Sequence, residues 1–159
     1  MPLEVVLGFD NSRETVTGVQ IGFENDANQA YGIQLGAANS THELRGAQLG
    51  LINTAEGIGA QLGLMNFTDE ARSVFPRDEL KIQLGVYNGA RNASALQVGV
   101  INFFLERTPG LQAGLVCYAE EGTYLQLGLV TSHGAGPWYR RYSPLIGFHR
   151  DTKNTQING

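Results

Sequence analysis

The stretch Gly46-Ala47-Gln48-Leu49-Gly50-Leu51-Ile52-Asn53 holds one copy of a short unit, apolar-Gln-apolar-Gly-apolar, followed by Asn three residues after the glycine. Outward from Gln48 the unit recurs around Gln34 and Gln20 on one side, and around Gln61, Gln83, Gln97, Gln112 and Gln126 on the other. Successive glutamines are separated by 14, 14, 13, 22, 14, 15 and 14 residues. Fixed periodicity of this kind marks an array of stacked repeats, and it outranks any single motif in deciding the fold.

Within each unit the aliphatic residues alternate with Gln and Gly, which is the period of a half-buried strand. The ordinary reading turns Ala47, Leu49 and Leu51 toward a core and leaves Gln48 and Gly50 outside. The chain has 21 glycines among 159 residues, well above a usual share of roughly 7%. They sit in register: one lies two residues after each Gln, and several units carry another just before it (Gly18, Gly32, Gly46, Gly59). An Asn follows in most units (Asn11, Asn25, Asn39, Asn53, Asn66, Asn88, Asn102), giving way to Cys117 and Thr131, and reads as a turn residue tolerant of left-handed backbone. Two residues later Ala27, Thr41, Ala55, Thr68, Ala90 and Ala119 predict a return segment that turns one small group inward.

Strands of about seven residues fit two topologies. In an antiparallel meander or small barrel, identical positions of successive units do not face one another, so nothing calls for the same Gln and Asn each time. In a parallel β-solenoid, coils stack about 4.8 Å apart and equivalent amides superpose as ladders. The expectation is therefore an all-β, single-domain β-solenoid of about ten coils of 13–15 residues, with the meander or barrel as alternative. Residues 1–17 form a degenerate first coil and 18–131 the eight clear repeats, with an insertion at about 67–81; 132–159 form a cap and tail. In that last segment Pro144, Ile146, Gly147 and Phe148 restore the repeat phase as a tenth rung, and the aromatic run around Trp138 reads as a lid on the open end.

The charge balance, 11 basic against 15 acidic residues for a net −4, contains no basic run, so nucleic acid is an unsuitable partner. No apolar stretch approaches the roughly 20 residues of a membrane-spanning helix, and strands this short do not fit an outer-membrane barrel, whose strands need about 9 to 11 residues. Met1-Pro2-Leu3-Glu4 lacks the zones of an export signal. As written the chain reads as cytoplasmic, and as a surface or envelope protein if a leader has been removed. Catalytic patterns are thin: His42, His133 and His149 fall in different units without ligand-spaced partners, and no nucleophile elbow or phosphate loop is present. The expectation is no enzyme activity, no cofactor and no metal.

The most useful anomaly lies one residue before the Asn. That position reads Asp10, Glu24, Ala38, Ile52, Met65, Tyr87, Ile101, Val116 and Val130, turning from acidic to apolar along the array. Stacked, Ile52, Met65, Tyr87, Ile101, Val116 and Val130 form a stripe suited to a protein partner or a second copy. Within the insertion, Phe75 and Arg77 add candidate anchors. The alternative function is a module binding carbohydrate or another polar polymer along the glutamine ladder (Gln20, Gln34, Gln48, Gln61, Gln83, Gln97, Gln112, Gln126) and Tyr87. A third reading, a filament stacking through its ends, is disfavoured by the distinctive terminal units.

The unit at residues 46 to 53 and its copies across about residues 18 to 131 resemble bacterial surface-repeat proteins built from tandem Gly-apolar-Gln-apolar-Gly-apolar-apolar-Asn units. The ending Pro144-Leu145-Ile146-Gly147-Phe148 looks like the way such arrays close. The resemblance implies a repeat fold and surface or envelope placement, and assigns no activity.

Overall fold

The computed structural model describes residues 3–69, 81–91, 95–107, 109–121, 123–134 and 142–149, and nearly all of them are extended. The strands are β1 Glu4–Leu7, β2 Asp10–Ile21, β3 Glu24–Leu35, β4 Ala38–Asp69, β5 Lys81–Arg91, β6 Ala95–Arg107, β7 Gly110–Glu121, β8 Tyr124–His133 and β9 Tyr142–His149. They form one sheet in chain order. Every neighbouring pair from β1 to β8 is parallel, and the register places Gln20 beside Gln34, Gln34 beside Gln48, and Gln61 beside Gln83. Parallel neighbours joined by so little chain are possible only if each strand continues around the coil and returns one level higher. This is a β-solenoid, and β4 runs through two of its coils without a break.

Each coil has two arms. The first carries the Gln; the chain then bends at Gly-apolar pairs such as Gly22-Phe23 and Gly36-Ala37, and the second arm begins near the Asn. Second-arm small residues point inward as their pattern predicts, with Ala27, Thr41, Ala55, Thr68, Ala90 and Ala119 all buried.

The first arm is reversed relative to the sequence expectation. Gln48 and Asn53 are 0% exposed, whereas Leu49 and Leu51 are 37% and 55% exposed. All eight repeat glutamines lie inside and the aliphatic face lies outside. A narrow coil can accept this because the amides saturate one another. Gln34 Nε2 donates to Gln20 Oε1 at 2.8 Å and Gln48 Nε2 to Gln34 Oε1 at 2.8 Å, and the series continues to Gln126 donating to Gln112 at 2.9 Å. The second hydrogen of the amide reaches across the coil to a second-arm carbonyl, as from Gln48 to Thr54 O at 3.0 Å. A buried amide left unpaired would cost about 1–3 kcal/mol, and these are paired.

The Asn residues form a second buried ladder: Asn25 donates to Asn39 Oδ1 at 2.9 Å, Asn39 to Asn53 at 2.8 Å, and Asn53 to Asn66 at 2.8 Å. Each also donates to a first-arm carbonyl of the next coil, as Asn39 does to Leu49 O at 3.0 Å. The two ladders run in opposite senses, for Gln donates to the preceding coil and Asn to the following one.

The glycine two after each Gln belongs to this interior. A Cβ on Gly50 would lie 2.6 Å from Asn39 Nδ2 and collide with the Gly36 carbonyl. The glycine before the Gln serves the backbone instead: Gly32, at φ 150°, has a conformation side chains rarely adopt and faces the Gly18 carbonyl. The Asn positions are not left-handed turns, because among the described residues Leu145 is the one non-glycine with positive φ.

Among the described residues most buried apolar side chains gather in two small clusters. One comprises Val16, Ala27, Ala30, Leu44 and Ala55, the other Ala90, Ala95, Phe104, Ala119 and Tyr124. At the far end β9 departs from the expected tenth parallel rung. It pairs with β8 in the antiparallel sense, setting Gly147 beside Gln126 and Ile146 beside Leu127. A Cβ at Gly147 would lie 2.9 Å from Gln126 Oε1, so the returning strand lies close over the last ladder amide. The aromatic run around Trp138 falls outside the described residues.

Candidate functional site

Because the faces are reversed, the outward columns of the first arm form a continuous apolar surface. The column before the Gln runs Ile33, Ala47, Ala60, Ile82, Leu96, Leu111, Leu125, and the column after it Leu35, Leu49, Leu62, Leu84, Val98, Ala113, Leu127. Past the glycine come Ala37, Leu51, Leu64, Val86, Val100, Leu115 and Leu129, then Ala38, Ile52, Met65, Tyr87, Ile101, Val116 and Val130. No charged residue interrupts these four columns.

Exposure along them is substantial: Leu64 is 53% exposed, Val86 46%, Leu115 51% and Leu129 63%. The stripe expected from sequence is therefore present at the bend, with Ile52, Met65, Val116 and Val130 exposed and Tyr87 and Ile101 half-buried. It is the margin of a wider face rather than an isolated strip, and the glycines beside it point inward, so they do not flatten it. Phe75 and Arg77 lie outside the described residues.

The face continues at both ends. Toward the N-terminus Phe9 and Phe23 stack with centroids 5.0 Å apart and planes within 2°, beside the acidic Asp10 and Glu24. At the other end β9 brings Phe148 beside Leu125 and Ile146 beside Leu127, both well exposed.

The second arm has the opposite chemistry. Its outward positions include Asp26, Asn28, Glu43, Arg45, Glu56 and Arg91. A cleft of about 430 Å³ runs along it over several coils. Ser40 and Thr54 line the cleft at one end, and Phe67, Tyr87 and Phe103 line it at the other. Phe67, Gly89, Phe103 and Tyr118 are register partners in successive coils. Gly89 leaves its place open, and the Tyr87 ring fills the gap, 5.5 Å from Phe67 and 5.2 Å from Phe103; Tyr118 follows Phe103 at 5.8 Å. A mostly polar column, Asn28, His42, Glu56, Asp69 and Arg91, runs along the cleft toward the rings, with His42 Nδ1 3.4 Å from a Glu56 oxygen.

The glutamine ladder is no binding strip, since those side chains are at most 3% exposed and a polymer on the surface cannot touch them. Tyr87, the other half of that expectation, lines the cleft on the opposite arm. The cleft was hidden in sequence because Gly89 breaks the aromatic column; the signal lay in Phe67, Phe103 and Tyr118 holding one phase across the insertion.

Cys117 replaces an Asn inside the ladder, accepting from Asn102 Nδ2 at 3.8 Å and donating to Leu127 O at 3.6 Å. Burial pushes its thiol pKa up, against a smaller lowering by the Asn102 hydrogen bond, which makes it a poor nucleophile. Among the described residues no three His, Cys, Asp or Glu side chains converge as a metal site, and no helix is long and apolar enough to cross a membrane. Compared with protein-family models, curated proteins and solved structures, the chain matches none.

Proposed function

We propose that the chain is a non-catalytic interaction protein whose outer first-arm face docks against the same face of a second copy. The observation that carries this reading is the set of uncharged aliphatic columns left open to solvent over the length of the array. Seven coils at about 4.8 Å and five residues at about 3.3 Å give a planar footprint of about 550 Å². Side-chain relief brings this close to the roughly 800 Å² per partner of a standard interface. The largest apolar patch on a typical monomer is about 300–600 Å² and is often functional, and the planar footprint alone lies near the top of that range.

A second copy suits the face because the columns repeat at one spacing and are uncharged, so two such faces interdigitate without burying a lone charge. The polar second arms stay in water on both sides. Sedimentation measures this directly: the wild-type chain is expected to run at twice its 17.2 kDa mass. A Leu64→Lys, Ile101→Lys double variant is expected to run at the single-chain mass with an unchanged β-rich circular dichroism spectrum. A monomeric wild type, or one that floats with neutral lipid vesicles instead of pairing, overturns the proposal.

A further inference from the structure

The cleft lies along the second arm and meets the apolar face at Tyr87, on the bend between them; the rest of its lining takes no part in the proposed self-association. We propose that it binds a linear, neutral, β-linked polysaccharide lying along the solenoid axis. Three observations carry this.

First, the Phe67, Tyr87 and Phe103 rings, with successive centroids 5.5 and 5.2 Å apart, form a continuous partly exposed strip. Pyranose rings present C–H faces to such π surfaces. The rung spacing of a parallel sheet, about 4.8 Å, is close to the length of one sugar ring, so successive sugars fall on successive coils.

Second, the neighbouring column of the cleft runs Asn28, His42, Glu56, Asp69, Arg91 and Leu105, polar at every level but the last, with the rings occupying its final three levels. Sugar hydroxyls both donate and accept, so they satisfy the carboxylates and the cations of this row alike. A proline-rich segment, which also favours aromatic grooves, has acceptors but no N–H at its prolines, so it serves the carboxylates of the row less well.

Third, among the described residues the cleft carries Asp26, Glu56 and Asp69 against one arginine, Arg91. That excess of negative charge disfavours nucleic acid and sulfated or uronic polymers.

The test is affinity electrophoresis of the full chain through gels containing soluble neutral glucan, xylan or mannan, followed by calorimetry with hexaoses of the retarding polymer. Retardation by at least one neutral glycan is expected, with hexaose binding more tightly than triose. Tyr87→Ala and the exposed His42→Ala are expected to weaken it tenfold or more. His42→Ala lies outside the aromatic stack and keeps the test valid if Tyr87→Ala perturbs folding. Mobility unaffected by every neutral glycan overturns the inference. So does binding confined to heparin or to a proline-rich decapeptide, or binding by both variants equal to wild type. A Leu64→Lys, Leu115→Lys variant, changed on the apolar face and outside the cleft lining, is expected to lose self-association and bind glycan normally, which separates the two outcomes.

Discussion

At the scale of the residue, the amide is the unit of cohesion. From Gln34 onward each interior Gln gives one hydrogen to the amide of the coil before it and one to a carbonyl across the coil. A thiol in such a ladder is a weak link, and Cys117 stands in the Asn series with contacts of 3.8 and 3.6 Å where Asn88 donates to Asn102 at 2.9 Å. Cys117→Asn is therefore expected to stabilise the chain. The introduced amide oxygen would accept fully from Asn102, and the introduced amide nitrogen would reach Leu127 O. One added amide bond is worth about 1 kcal/mol, or about 2–4 °C in Tm for a chain of this size. Thermal denaturation under reducing conditions checks it; a lower Tm would show that the site cannot accommodate the amide.

At the scale of the element, the strand faces give the sharpest lesson about legibility. Alternation at Gln48-Leu49-Gly50-Leu51 shows two faces without labelling them, and transfer energies alone put Leu inside. The label lay in the variability among copies. The aliphatic columns mix Ile, Leu, Val and Ala, as a loosely constrained surface allows, while Gln and Gly never change between Gln20 and Gln126. Only the interior, where an amide must meet its copy at 2.8 Å and a Cβ would strike an Asn, demands such constancy. Parallel pairing was legible for the same reason, since superposed amides need it, whereas the reversal of β9 was not, because phase carries no information on direction. The inverted faces predict an inverted mutational pattern. Gln83→Leu deprives Gln97 Nε2 of its acceptor and Gly89 O of its donor, and is expected to cost about 2–4 kcal/mol. Leu84→Gln, on the exposed side, is expected to stay within about 0.5 kcal/mol. Urea titrations on dilute, dissociated protein decide between the two arrangements, and the opposite ranking would refute the buried ladder.

At the scale of the whole molecule, stability is a sum over coils and their nearest neighbours. Excising residues 20–33 removes one 14-residue repeat and sets Val19 directly before Gln34, restoring every ladder contact one level down. This shortened chain is expected to fold with a spectrum like the parent and a modestly lower Tm. Removing seven residues, 20–26, should abolish cooperative melting, because it throws Gln and Asn out of register. Equal damage from both deletions would argue against independent coils.

The opposed donor senses of the two amide columns bear on how long such an array can grow. Hydrogen-bonded dipoles aligned head to tail add up, as in a helix, and leave partial charge at the two ends. Here the Gln column points one way along the axis and the Asn column the other, so their fields largely cancel. Further levels can be added by duplication without building an electrical potential between top and bottom, and the count of repeats is left free to drift under selection.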